Sequence, residues 1–125
     1  MMLLVCEAWL VLLYFEGVMK LFGLRTVHDM VRKQGVESAR WNSKRSVAEL
    51  NQATDLACVF YFKQVLCLQR SAAMTVLLRR YGWKGEMLIG AKTLPFQAHA
   101  WVEVEGEVVN DVSSVATRYQ VLERC

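Results

Sequence analysis

Proline occurs once in these 125 residues and glycine seven times, which leaves no composition for a flexible linker between domains. No Cys-x-x-Cys and no His-x-x-x-His is present, and the four cysteines (Cys6, Cys58, Cys67, Cys125) follow no zinc spacing, so no metal site is expected. Internal repeats and low-complexity tracts are absent, which excludes solenoids and arrays. Basic residues are scattered without interleaved aromatics and the net charge is only +3, so nucleic-acid binding is not expected. Long uncharged runs are missing too. In the apolar first 24 residues, Glu7, Glu16 and Lys20 interrupt, and the longest uncharged run is Ala8–Phe15. A membrane span needs about twenty apolar residues. A secretion signal would open with positive charge and offer a small-residue cleavage site, and Glu7 stands there instead. The segment therefore reads as a buried or partner-facing helix, with weak contact to a membrane surface as the alternative.

What is present suits one globular domain. Apolar residues make up 54% of the chain and charged residues 22%, enough for a real core and too apolar for disorder. One domain over 1–125 is expected, with a helical N-terminal region (1–45) and a core (46–125). A chain of this apolarity needs no disulfide staples, so reduced cysteines and a cytoplasmic location are expected.

The pattern places helices first. A helix is expected from about Leu3 to Phe22, stopped by Gly23. Thr26-Val27-His28-Asp29 resembles a capping box opening a short helix that ends near Gly35, and polar residues 36–45 read as a connection. Ser46-Val47-Ala48-Glu49 is a cleaner capping box, starting a helix to Tyr61 or Phe62. From Cys67 to Tyr81, apolar residues recur at three- and four-residue spacing, and Gly82 is the expected terminator. The period then changes. Strands are expected at Glu86–Ala91, Ala98–Glu105, Val108–Val112 and Arg118–Leu122. Helices followed by an antiparallel sheet make an α+β domain, with a central helix packed on the sheet.

The chemistry-bearing residues are Cys67, His99 and Asp111. Cys67 stands at the first turn of its helix, where unpaired N–H groups and partial positive charge favour thiolate over thiol. The same N–H groups can hold an oxyanion. His99 opens an alternating strand on the face of Trp101 and Glu103, opposite Ala100, Val102 and Val104. Asp111 can orient the imidazole if the hairpin register allows. A two-residue loop, Glu105-Gly106, pairs Trp101 with Asn110 and turns Asp111 away. A three-residue loop, Glu105-Gly106-Glu107, makes His99 and Asp111 same-face diagonal neighbours about 7 Å apart. That loop, or an equivalent bulge, is predicted. Thiolate, imidazole and carboxylate are the parts of a cysteine acyl-transfer enzyme, which needs no metal and no organic cofactor.

Further candidates surround the three. Gln64, Leu68, Arg70 and Trp101 are read as oxyanion or substrate-binding residues. Arg70 and Ser71 either bind substrate backbone or hold the helix start. Trp101 either shields the histidine–aspartate contact from water or packs. Asn110 could orient groups near the site, though its strand parity points it away. His28 reads as a surface residue, and Cys58 and Cys6 as core.

Several runs resemble one family. Cys67-Leu68-Gln69-Arg70-Ser71 with Leu77-Leu78-Arg79-Arg80-Tyr81-Gly82 is similar to the nucleophile helix of the lasso-peptide leader peptidases, within the transglutaminase-like superfamily. Ile89-Gly90, Pro95-Phe96, Ala98-His99-Ala100-Trp101-Val102-Glu103-Val104, Gly106 and Val109-Asn110-Asp111 continue the likeness, which covers about residues 46–112. The resemblance implies a transglutaminase-like, papain-like core and places the family's cysteine, histidine and aspartate on Cys67, His99 and Asp111. It implies cutting of the leader from a ribosomally made precursor peptide. A separate leader-binding adaptor protein is implied as partner, as is an ATP-dependent cyclase acting on the freed core. Gln69 departs from the family, which often has proline there, and is expected to cost some rigidity. Two other readings stay open: amide transfer to an amine, as in transglutaminases, and a non-catalytic scaffold in the maturation complex.

Overall fold

The computed structural model describes residues 2–33, 46–93, 96–111 and 114–125. Helices α1 (Met2–Phe22), α2 (Leu24–Lys33), α3 (Val47–Val59) and α4 (Cys67–Arg80) come first. Strands β1 (Gly85–Thr93), β2 (Phe96–Val104) and β3 (Glu107–Val108), the short helix α5 (Val115–Arg118) and β4 (Gln120–Arg124) follow. The sheet is antiparallel with strand order β3-β2-β1-β4. This is the expected α+β arrangement.

Local signals explain most boundaries. Gly23, at φ +89°, ends α1 and donates to Met19 O at 3.0 Å. Ser46 closes the anticipated capping box: its hydroxyl accepts from Glu49 N, and Glu49 accepts from Ser46 N. α4 ends in a Schellman arrangement. Trp83 N–H bonds Leu78 O, Gly82 N–H bonds Arg79 O, and Gly82 takes φ +88°.

Other expectations were off. α2 begins at Leu24, so Thr26 lies inside the helix and its hydroxyl back-bonds to Phe22 O at 3.3 Å instead of capping. The expected end near Gly35 and the connection over 36–45 lie outside the described residues. α3 stops at Val59, earlier than Tyr61. The last strand runs Gln120–Arg124, because α5 occupies the residues through Arg118.

The core lies between the helices and one face of the sheet. α1 contributes Leu4, Ala8, Val11, Leu12, Phe15 and Val18, and α4 is buried along nearly its whole length. Ala100, Val102 and Val104 of β2 join this core, as does Met87 of β1. Leu88, Trp101 and Val115 form a smaller cluster of their own, in opposite strand parity. The sheet therefore carries helices α1–α4 on one face and α5 on the other.

α1 is long and apolar enough to cross a membrane by length and composition. Its two glutamates are nevertheless bound inside the fold. Glu7 accepts from Arg80 (2.9 Å) and from the Tyr81 hydroxyl (2.7 Å). Glu16 accepts from Lys63 and from Gln69 Nε2 (2.8 Å). The two acids thus hold opposite ends of α4, and α1 runs antiparallel to it. At the C-terminal end of α4, Arg79 is buried and donates to Gly85 O, Val31 O and Cys125 O. Burial lowers its guanidinium from the ordinary arginine range. Three carbonyl acceptors compensate that charge and tie α2, β1 and the chain end to α4.

Candidate active site

Cys67 is the first residue of α4, and its thiol is exposed. Leu66 before it is extended (φ −79°, ψ 157°) and brings no side-chain cap. The first intrahelical bond is Arg70 N–H to Leu66 O, at 3.0 Å. The N–H groups of Cys67, Leu68 and Gln69 therefore have no partner within the helix. They are oriented together at its positive end and can serve an oxyanion.

Gln69 corrects one expectation. In place of proline, its Oε1 accepts Leu66 N–H at 3.2 Å while its Nε2 donates to Glu16. The side chain is buried and fixes the helix start from the side, so the feared loss of rigidity is compensated.

His99 and Asp111 are brought together. Nε2 of His99 lies 2.6 Å from Oδ2 of Asp111, both side chains being part-exposed. An ionised carboxylate only accepts, so the proton sits on Nε2 and Nδ1 is left for chemistry.

The route to this contact differs from the predicted one. The hairpin has a two-residue loop, with Glu105 at φ +53° and Gly106 at φ +81°, and pairs Val104 with Glu107 and Glu103 with Val108. That register alone would turn Asp111 away. The ladder ends at Val108 instead. Val109 N–H still bonds Val102 O at 3.0 Å, but the acceptor for Val102 N–H is the Asn110 side chain, Oδ1 at 2.8 Å. The backbone bends over Val109–Asp111 and the aspartate swings to the histidine.

Asn110 also ties this bend to α4. Its Nδ2 donates to Ser71 Oγ at 3.2 Å, and Ser71 is buried. Ser71 lies one helical turn after Cys67, about 6 Å along the axis. At the other end of α4, the Leu78 side chain and Arg79 meet Gly85, which pairs with Val104. α4 thus runs parallel to β2, and Cys67 and His99 lie toward the same end of the layer. Among the described residues no hydrogen bond joins their side chains, and His99 has the strand parity of Trp101, away from the α4 face.

Rings hold the imidazole. Tyr119 stacks on His99 at 5.3 Å between centroids and Trp101 at 6.2 Å. Gly90, opposite His99 in β1, makes room for both. A Cβ there would stand 2.8 Å from Trp101 Cη2 and 2.9 Å from Tyr119 Cβ. Gly90→Ala is therefore expected to destabilise by about 1–3 kcal/mol through overpacking. Gly17→Ala is the control. Nothing lies within 4 Å of its Cβ, and it should stabilise α1 by about 0.5–1 kcal/mol. Thermal denaturation of the two variants, moving in opposite directions, checks this.

The secondary candidates are placed as follows. Gln64 is exposed in the segment before α4 and makes no hydrogen bond among the described residues. The Leu68 side chain enters the core, leaving only its N–H for the site. Arg70 pairs with Asp55 of α3. Trp101 is fully buried and donates to Glu103 at 3.0 Å, so it packs beneath the histidine. His28 is buried, not at the surface as read, with Nε2 3.1 Å from Glu123. Sequence analysis gave Tyr119 and Gly90 no part in the site, and placed Asn110 beside it with a strand parity pointing away. Only Gly90 carried a signal, since glycine inside a strand marks close approach.

All four cysteines are free. Cys6 is exposed rather than in the core. Burial pushes the Cys58 and Cys125 thiols up from the ordinary cysteine value. Iodoacetamide at pH 6 should therefore mark Cys67 first, Cys6 more slowly, and Cys58 and Cys125 last. Peptide mapping of the adducts checks the order. Equal rates at Cys67 and Cys6 would mean that the helix start does nothing for the thiol.

A family model described as the transglutaminase-like superfamily matches residues 9–124. The microcin J25-processing protein McjB of Escherichia coli is 36% identical over 56 residues, covering 45% of this chain. The shared stretch spans only 27% of that protein's length. No solved structure matches. With nearly its whole length matched, and with helices before a small antiparallel sheet as the architecture requires, the chain belongs to the transglutaminase-like superfamily.

Proposed function

We propose that this chain is a cysteine peptidase that removes the leader from a lasso-peptide precursor in the cytoplasm. The observation that carries the reading is the 2.6 Å His99–Asp111 contact at the end of the layer where α4 begins with Cys67. The relationship to a microcin-processing protein supports the substrate class. Free cysteines suit a reducing compartment.

In the reaction, His99 takes the thiol proton and Cys67 Sγ bonds to the carbonyl carbon at the leader–core junction. The oxyanion is held by N–H groups at the start of α4. The C–N bond breaks and His99 gives its proton to the departing core amine. Water then attacks the thioester, passing a proton to His99, and the C–S bond breaks to release the leader acid. Asp111 keeps the imidazole in the Nε2–H tautomer throughout. A separate adaptor presents the leader, and an ATP-dependent cyclase takes the freed core.

Mass spectrometry of the cognate precursor incubated with the protein and adaptor tests this. Hydrolysis gives two fragments whose summed mass exceeds the precursor's by one water. A product joining the acyl fragment to an added amine would assign amide transfer instead, and no product would favour the scaffold reading.

A further inference from the structure

Cys67 stands on a helix start that has no cap of its own. Leu66, in the N-cap position, carries no side-chain oxygen. Uncapped first turns fray, and N–H groups that could face an oxyanion then lose their common direction. The start of α4 is held from outside instead. Gln69 Oε1 accepts Leu66 N–H at 3.2 Å, and Gln69 Nε2 donates to Glu16 Oε2 at 2.8 Å. The other oxygen of that carboxylate, Oε1, accepts from Lys63 Nζ. Lys63 precedes Cys67 in the chain and Gln69 follows it, so one carboxylate of α1 grips the chain on both sides of the thiol. Gln69 is buried and the Glu16 side chain is only 15% exposed. These bonds are therefore made largely away from bulk water, where a charged acceptor binds strongly and its loss is costly. Glu7 makes the same kind of anchor at the far end of α4, through Arg80 and Tyr81. That end lies about 20 Å along the helix axis from Cys67.

We propose that Glu16 is a positioning residue for the reaction, acting through Gln69 and Lys63 to hold the start of α4 in one geometry. The inference rests on the peptidase reading for the reaction itself. Glu16 bonds to these two side chains and not to the reacting atoms. What it controls is the spread of positions that the Cys67 thiol and the N–H groups of Cys67, Leu68 and Gln69 sample. Thiolate character, attack on the carbonyl and capture of the oxyanion all draw on that one helix start. Misplacing reacting groups by about 1 Å can cost about 10²-fold in rate. Substrate contacts made elsewhere are untouched by such a shift, so the loss falls on kcat and not on KM. Glu7 supplies the contrast. An anchor that only joins α1 to α4 contributes stability, and its removal leaves the chemical step alone.

Glu16→Met is the direct test, because it removes both acceptor oxygens and keeps a side chain of similar length. It should lower kcat by about tenfold to a hundredfold with KM within about threefold. Glu16→Gln keeps one acceptor oxygen for Gln69 Nε2 and should return kcat to within about threefold of wild type. Glu7→Met should lower the melting temperature with kcat within about threefold of wild type. Alkylation reads the same clamp without any cutting. In Glu16→Met, iodoacetamide at pH 6 should modify Cys67 about two- to fivefold more slowly than in the wild type, and in Glu7→Met at the wild-type rate. If the wild type leaves the cognate precursor uncut, the peptidase reading falls and these alkylation rates decide the clamp: a slower Cys67 in Glu16→Met supports it and an unchanged one overturns it. Where the wild type cuts, an undiminished kcat in Glu16→Met, or equal losses of kcat in Glu16→Met and Glu7→Met, overturns the clamp and leaves the peptidase. Should Glu16→Met not fold, Gln69→Leu breaks the same contact from the other side, and a wild-type kcat there overturns the proposal equally.

Discussion

Cys67→Ala should leave the precursor uncut, a loss of at least about 10³-fold, in a protein that melts as the wild type does. The two halves of that statement have separate causes. Without Sγ no acyl-enzyme forms, and no other thiol can replace it: Cys58 and Cys125 are partly buried with their thiols pushed up, and Cys6 lies on α1. The fold does not need the thiol. It is exposed, and alanine is a better helix former than cysteine at that position. The helix start is held by Gln69 on Leu66 N–H and by Glu16 on Gln69, which the substitution leaves untouched. The check is product mass beside a thermal melt. Residual cutting within tenfold of wild type would remove Cys67 from the chemistry.

Asp111→Asn should lower kcat by about 10²–10⁴-fold while KM changes only a few-fold. An asparagine amide can still sit 2.6–3 Å from the ring, but it no longer dictates which nitrogen carries the proton. The imidazole then populates the tautomer with Nδ1 protonated, which cannot receive the thiol proton. The imidazolium also loses its counter-charge. Stability should change little. Asp111 is part-exposed, and the bend is held by its neighbour, through Asn110 to Val102 N–H and Ser71 Oγ. Asn110→Ala would therefore be the more damaging substitution for the fold and Asp111→Asn for the rate. Steady-state kinetics with melts of both variants tests that contrast. An Asp111→Asn protein within twofold of the wild-type kcat would show that the contact orients nothing that matters.

Those two residues show why the site was only partly legible in the chain. Cys67 was readable because helix starts are local: an apolar period begins at that residue, and Gly82 ends it fifteen residues on. His99 was readable because strand alternation is local too. The pairing of His99 with Asp111 was anticipated through the wrong hairpin. The turn is the two-residue kind, and register arithmetic extended along a regular ladder sends Asp111 to the other face. The ladder is cut short by a side chain, Asn110, whose second partner sits 39 residues away on α4. No local pattern announces such a bond.

Tyr119 illustrates the same limit. It follows a four-residue helix near the end of the chain and stacks on a histidine twenty residues earlier, a contact that exists only because β4 pairs with β1. The acids of α1 looked like interruptions of an apolar run. In the fold they grip both ends of α4, because α1 lies antiparallel against it.

The sequence by itself determined most of the elements, their order, the α+β class, and the places of Cys67 at a helix start and His99 in a strand. Periodicity, capping and glycine stops act over a few residues and are written in the residues concerned. Tertiary structure alone decided how Asp111 reaches His99, what fixes the start of α4 and which rings cradle the imidazole. Each of these depends on side chains or strands that meet across the fold, and such meetings are set by packing the whole chain rather than by any stretch of it.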